Sequence, residues 1–124
     1  MAAPNIVNVS AIYGKVVTAD LTSTSAISVL SNAASSGKVF KLDSLVVANT
    51  ATANAVNIAV NHYSAAALGG TATALASTVS IPANSTLVVI SKLNMIYLEE
   101  NMSIGAVAGT SSKLKVVCSY EDIS

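Results

Sequence analysis

Hydrophobic and polar positions alternate with a period of two along most of this chain, the signature of β-strands with one buried face. The longest such segment is Gly37 to Asn49. Strict alternation puts Phe40, Leu42, Ser44, Val46 and Ala48 on one face and Val39, Lys41, Asp43, Leu45 and Val47 on the other. The first half reads as half-buried. Leu45-Val46-Val47-Ala48 reads as buried on both faces, as at the centre of a sandwich. Ser35-Ser36-Gly37 before it and Asn49 to Asn54 after it supply turn chemistry.

Other strands follow from the same rule. Asn5–Val9 is a short strand or arm, with Pro4 at its start. Ala11–Ala19 is a strand in which Gly14 suggests a bulge or a close backbone approach. Ala26–Leu30 is a short strand, and Ala55–Tyr63 is the expected hairpin partner of the central segment. Ser64–Ser77, rich in Ala, Thr and Gly, reads as an irregular loop with room for one helical turn. Thr78–Ile81, Thr86–Ser91, Met95–Leu98, Met102–Ala108 and Lys113–Tyr120 complete the set, with Gly109–Ser112 read as a hairpin loop. Leu87-Val88-Val89-Ile90 reads as buried on both faces. In the last strand Leu114, Val116, Cys118 and Tyr120 share a face. No segment sustains a period of 3.6, and no internal repeat has a fixed period.

Eight to ten short antiparallel strands at this spacing predict an all-β sandwich, jelly-roll-like or immunoglobulin-like. Residues 1–10 are read as an N-terminal arm or edge strand and 11–124 as one sandwich domain. The expected core holds Phe40, Leu42, Val46, Ile58, Val60, Val88, Ile90 and Val116.

Composition adds one anomaly. Of 124 residues 52% are hydrophobic but only 10% charged, against about 25% charged in a typical domain. Ser, Thr, Asn and Ala replace the charge, and the net charge is zero. Such a surface does little to keep a monomer apart from its neighbours, so a homo-oligomer is expected. All basic residues are lysines, without the Arg forks of nucleic-acid readers; no nucleic-acid partner is expected. Aliphatic runs fall far short of the ~20 residues of a spanning helix, so no membrane partner is expected either. The N-terminus lacks the features of a signal peptide. Cys118, the sole cysteine, cannot form an internal disulfide and is expected to be buried and inert.

Catalytic chemistry is sparse. His62 is the only histidine and lies on the apolar face of its strand, as an edge or interface residue would. No nucleophile elbow or paired metal-ligand spacing is present. Glu99-Glu100 read as turn charges, Lys41 and Asp43 as a surface ion pair, and Gly69-Gly70 lacks the Lys-Ser/Thr of a phosphate loop. No enzyme, catalytic residue, cofactor or metal is expected.

Four stretches carry a family resemblance: Pro4–Val9 with Ile12-Tyr13-Gly14-Lys15; Lys38–Asn49; Ser80–Leu87 running into Ile96–Ile104; and Val117–Ser124. Together they resemble the small virion structural proteins of tailed phages, especially T4-like phages of marine cyanobacteria. The resemblance implies a β-rich subunit added to a particle in many copies, made in the host cytoplasm and located in the virion. It points to a capsid decoration subunit bound to the major capsid protein or another virion protein, and by analogy to a trimer. It leaves head, neck, tail and fibre attachment open and carries over no site residue. A fimbrial subunit and a carbohydrate-binding module are the rival classes.

Overall fold

A computed structural model describes residues 7–124. Nine strands follow in order: β1 Ile12–Asp20, β2 Ile27–Asn32, β3 Val39–Asn49, β4 Val56–Ala65, β5 Gly69–Ile81, β6 Thr86–Ile90, β7 Ile96–Leu98, β8 Met102–Ala108 and β9 Leu114–Ile123. They form two antiparallel sheets, ordered β1-β9-β3-β6 with β7 also on β3, and β2-β8-β4-β5. With β7 set aside, the pairs β1·β9, β2·β8, β3·β6 and β4·β5 nest inside one another. The chain is a long hairpin rolled into a sandwich, which is the jelly-roll order rather than the immunoglobulin one. Among the described residues no helix is long and apolar enough to cross a membrane.

Facing side chains of the two sheets make one core. Leu42, Leu45, Val47, Leu114, Val116 and Cys118 come from one sheet, and Val29, Ile58, Val60, Ile104, Ala106 and Ala108 from the other. Six of the expected core residues are there; Val46 and Val88 are not. The cause is a β-bulge. Asp43 is an extra residue of β3 between Leu42, paired with Tyr120, and Ser44, paired with Ser119. One inserted residue reverses the alternation. Phe40 and Leu42 therefore share the inner face with Leu45 and Val47, and Val46 turns outward. A second bulge at Val89 re-registers β6, so Val88 opposes Val46 outside and Ile90 opposes Leu45 inside. Neither Leu45–Ala48 nor Leu87–Ile90 is buried on both faces.

Three connections also differ from expectation. β4 does not pair with β3; the Asn49–Asn54 segment crosses from one sheet to the other. Gly109–Ser112 likewise crosses between β8 and β9 instead of closing a hairpin. The Ser64–Ser77 segment is largely strand: β5 runs thirteen residues along β4, with no helix. Gly14 marks no bulge, since β1 pairs with β9 in unbroken register.

Two buried asparagines fasten the crossings. Asn32, at the end of β2, donates to the carbonyls of Lys38 (2.9 Å) and Leu98 (3.1 Å) and accepts from Ser36 Oγ. Asn49, at the end of β3, donates to the Ile81 carbonyl at 2.9 Å and accepts the Ala51 N–H at 2.9 Å. Each joins one sheet to the other and satisfies backbone groups that have left the ladders.

Residues 1–6 of the expected arm lie outside the described residues. Just beyond them, Ala11 exchanges backbone hydrogen bonds with Ser124, extending the β1·β9 ladder.

Candidate interaction surface

Directly opposed residues in a sheet point the same way, so the register maps the outer face of the β1-β9-β3-β6 sheet row by row. One row is Thr18–Val117–Val46–Val88. Beside it runs Val16–Ser119–Ser44. Val16, Val88 and Val117 are 64%, 58% and 40% exposed. Charged rows bound this apolar and hydroxyl-bearing centre. At one end Lys115 pairs with Asp20 at 2.6 Å; at the other Lys41 pairs with Glu121 at 3.5 Å. Each charge is compensated locally, so the face carries no field of one sign to steer a partner.

On the opposite sheet the chain's own β4–β5 turn covers the outer face around Gly105, while β5 is mostly exposed. The β4–β5 turn puts Ala67 and Leu68 at φ 56° and 62°, a conformation that costs an L-residue about 1–2 kcal/mol. It is held by three side chains: Asn101 Oδ1 accepts from the Ala66 N–H, Ser31 Oγ from the Ala67 N–H, and Ser103 Oγ from the Leu68 N–H. Leu68 then lies over Gly105. A Cβ there would meet Leu68 Cδ2 at 2.6 Å and Tyr63 Cε1 at 3.0 Å, so glycine is what lets the turn fold flat. The two sides of the sandwich thus differ: one is capped by the chain's own turn, and the other presents valines.

The residues weighed for chemistry do not converge. His62 is half-buried on β4, opposite Ile104 and Thr73. Glu100 Oε2 accepts the Gly37 N–H at 3.2 Å, and its Oε1 is buried without a hydrogen-bond partner among the described residues; Glu99 is exposed. Lys41 pairs with Glu121 rather than Asp43, which the bulge displaces. Gly69 and Gly70 open β5 beside Ser64, whose Oγ accepts the Thr71 N–H. Lys41, Asp43, Lys92, Met95 and Glu121 line an open groove of about 420 Å³. Its two ammonium and two carboxylate groups can bind by ion pairing but offer no nucleophile beside a base. Among the described residues no three His, Cys, Asp or Glu side chains cluster as metal ligands.

A buried carboxylate anchors β1. Asp122, with only 4% of its side chain exposed, accepts from Lys15 Nζ at 2.6 Å and Lys38 Nζ at 3.4 Å. Burial pulls its pKa up, but the Lys15 hydrogen bond and the Lys38 charge outweigh that and hold it below the usual carboxylate value. The hydrogen bond to Asp122 raises the Lys15 pKa in turn. A lowered folded pKa stabilises the fold above the unfolded value of about 3.9, and that stability is lost as pH falls through the folded pKa. Because both lysines are near half exposed, solvent screens the pair. Asp122→Asn is expected to cost about 1–2 kcal/mol at pH 7 and to flatten the acid limb of a urea-denaturation series. An unchanged acid limb would remove Asp122 as its source.

No family model matches the chain, and no curated protein matches it. Among solved structures it is similar to a chain from the work described as "Bacillus endospore appendages form a novel family of disulfide-linked pili". The TM-score is 0.51 at 12% identity, covering 91% of this chain and 88% of that one. The likeness is one of fold.

Proposed function

We propose that this chain is a non-enzymatic virion structural protein of a tailed phage, a decoration subunit that seats the outer face of its β1-β9-β3-β6 sheet on the major capsid protein or another virion protein. The observation that carries the reading is that face: Val117, Val46 and Val88 in one row across three strands, with Thr18 and Val16 of β1 beside them, bounded by ion pairs that cancel locally. Burying apolar surface contributes about 25 cal/mol per Å², whereas exposed ion pairs contribute about 0–1 kcal/mol each and are screened by salt. Attachment by this face is therefore apolar in character. The family resemblance supplies the particle; the absence of a dense charged patch among the described residues supports the mode of attachment.

The likeness to a pilus chain favours a second reading, a subunit of a cellular filament. The pili of that work are disulfide-linked; here the only thiol, Cys118, is fully buried, which weighs against linkage by that means.

A mass-spectrometric inventory of purified phage particles, with copy number, separates the two. The expected result is this chain in many copies per particle. It should stay bound in ~1 M sodium chloride, where the Debye length is about 3 Å, and come off in urea. Val117→Lys, at the centre of the face, should keep the melting temperature and lower particle occupancy at least about tenfold. Absence from particles, or full release by salt alone, would overturn the reading.

A further inference from the structure

We propose that two copies of this chain pair edge to edge through β1, antiparallel and in the register that sets Gly14 opposite Gly14, joining their β1-β9-β3-β6 sheets into one continuous sheet.

Sheet edges are templates for pairing, and proteins guard them with short strands, bulges, proline or charge. Among the described residues, four of the five strands with an open side are guarded, β7 by being only three residues long. β2 is short and bulged. β5 breaks register three times, with Thr78 at φ 51°. β6 spans five residues and is bulged against β3. β1 is not guarded. It runs nine residues in unbroken register with β9, almost wholly exposed and without proline. Its one lysine, Lys15, is held by Asp122.

The backbone of β1 is aimed outward at regular steps. Ala11 exchanges hydrogen bonds with Ser124, and the Leu21 N–H donates to Leu114. The odd-numbered residues between them therefore bond to β9, and Ile12, Gly14, Val16 and Thr18 turn their N–H and C=O groups to the open edge. Among the described residues nothing in the subunit calls for glycine at position 14. Gly14 makes no bulge, its φ is not positive, and a Cβ on it would meet nothing within 4 Å. Glycine inside a regular strand marks a place where another backbone approaches closely.

The sequence of β1 selects both the occupant and the register. About a two-fold axis at Gly14, Ile12 opposes Val16 twice on one face, and Tyr13 opposes Lys15 twice on the other. These are an apolar cross-strand pair and a cation beside an aromatic ring. An axis at Lys15 would set two ammonium groups face to face, and an axis at Val16 would set Ile12 against Asp20. Of these three axes, the one at Gly14 is the one that opposes compatible side chains from Ile12 to Val16. This inference deepens the reading of the chain as an assembling subunit and rests on it.

The test is disulfide trapping of the isolated full chain, with diamide as the oxidant. Opposed Cα atoms in such a pair lie about 5.5 Å apart, within the roughly 4.4–6.8 Å of a disulfide. Gly14→Cys should crosslink to itself. Thr18→Cys, on the same open edge, should not, because its two copies would sit eight residues apart along the ladder, about 27 Å. Ile12→Cys mixed with Val16→Cys should give the mixed crosslink at least about tenfold faster than either alone. The buried Cys118 leaves little background. Equal trapping at Gly14 and Thr18, or a chain that sediments as a monomer at the trapping concentration, would overturn the proposal. Self-association without a Gly14 crosslink would overturn this pairing alone. Loss of the particle-bound copies would instead count against the assembling-subunit reading.

Discussion

Replacing Asn49 by alanine should cost about 3–4 kcal/mol of folding stability, more than any single outward-facing valine. The side chain is 2% exposed and works at both ends. Its amide donates to the Ile81 carbonyl at the end of β5, with further contacts to the Asn54 and Pro82 carbonyls, and its oxygen accepts the Ala51 N–H. Alanine removes the amide and strands a buried donor and a buried acceptor. Each unsatisfied group costs about 1–3 kcal/mol. The loss also unfastens the crossing from β3 to β4, so the two sheets lose a tie beyond their apolar contact. Asn49→Asp is the informative companion: it keeps the acceptor for Ala51, loses the donor, and turns a buried carboxylate toward the Asn54, Ile81 and Pro82 carbonyl oxygens. It should be at least as damaging as alanine. Chemical denaturation at pH 7 reads both. A loss below about 1 kcal/mol for Asn49→Ala would show that the crossing is held by packing alone.

Cys118 should resist thiol reagents by about a hundredfold or more relative to an exposed cysteine at pH 8. Burial, and then the nearby Asp43 carboxylate, push its pKa up to about 11, so only about one thiol in a thousand is ionised at that pH. Being fully enclosed adds to this. The same shift predicts an alkaline weakness. A raised folded pKa gives stability that is complete below the unfolded value of about 9 and is lost as pH rises through the folded one. Between about pH 9 and 11 the slope approaches 1.4 kcal/mol per pH unit, for a total of about 2–3 kcal/mol. Cys118→Ala should remove that increment while leaving the titration of lysines and tyrosines, so the difference between the two pH profiles isolates it. Stoichiometric labelling of the native chain within minutes, or parallel profiles, would contradict the burial.

Where one face is buried and the strand is regular, the fold can be read from the residues. Val56, Ile58 and Val60 alternate, as do Leu114, Val116 and Cys118, and all six are in the core. Alternation fails at bulges. Asp43 shifts the register just ahead of Leu45–Ala48, and Val89 shifts it inside Leu87–Ile90; both runs are apolar at every position, so nothing within them shows which valines turn outward. That is why Val46 and Val88, the heart of the candidate surface, read as core. Thr78–Ile81 reads as a strand, but the start of β5 is hidden for the opposite reason: its Thr and Ala residues are mostly exposed on both faces and resemble a loop in composition, although the Thr71-Ala72-Thr73-Ala74 alternation after Gly70 is a strand signal. Turn residues mark where strands end but not which sheet receives the next one, so the crossings at Asn49–Asn54 and Gly109–Ser112 look like hairpin loops.

The last strand to be made lies between the first and the third: β9 is the inner neighbour of both β1 and β3. During synthesis β1 has no partner in its sheet until β9 has been made. The β4·β5 hairpin can close early, but the outer pairs must wait for ends far apart in the chain, which makes closure slow and all-or-none. A nascent fragment therefore cannot display the β1 edge or the valine face in finished form. Neighbouring chains on one message are kept from zipping together before β9 of each has emerged, and loss of Leu114–Ile123 removes the strand that joins β1 to β3.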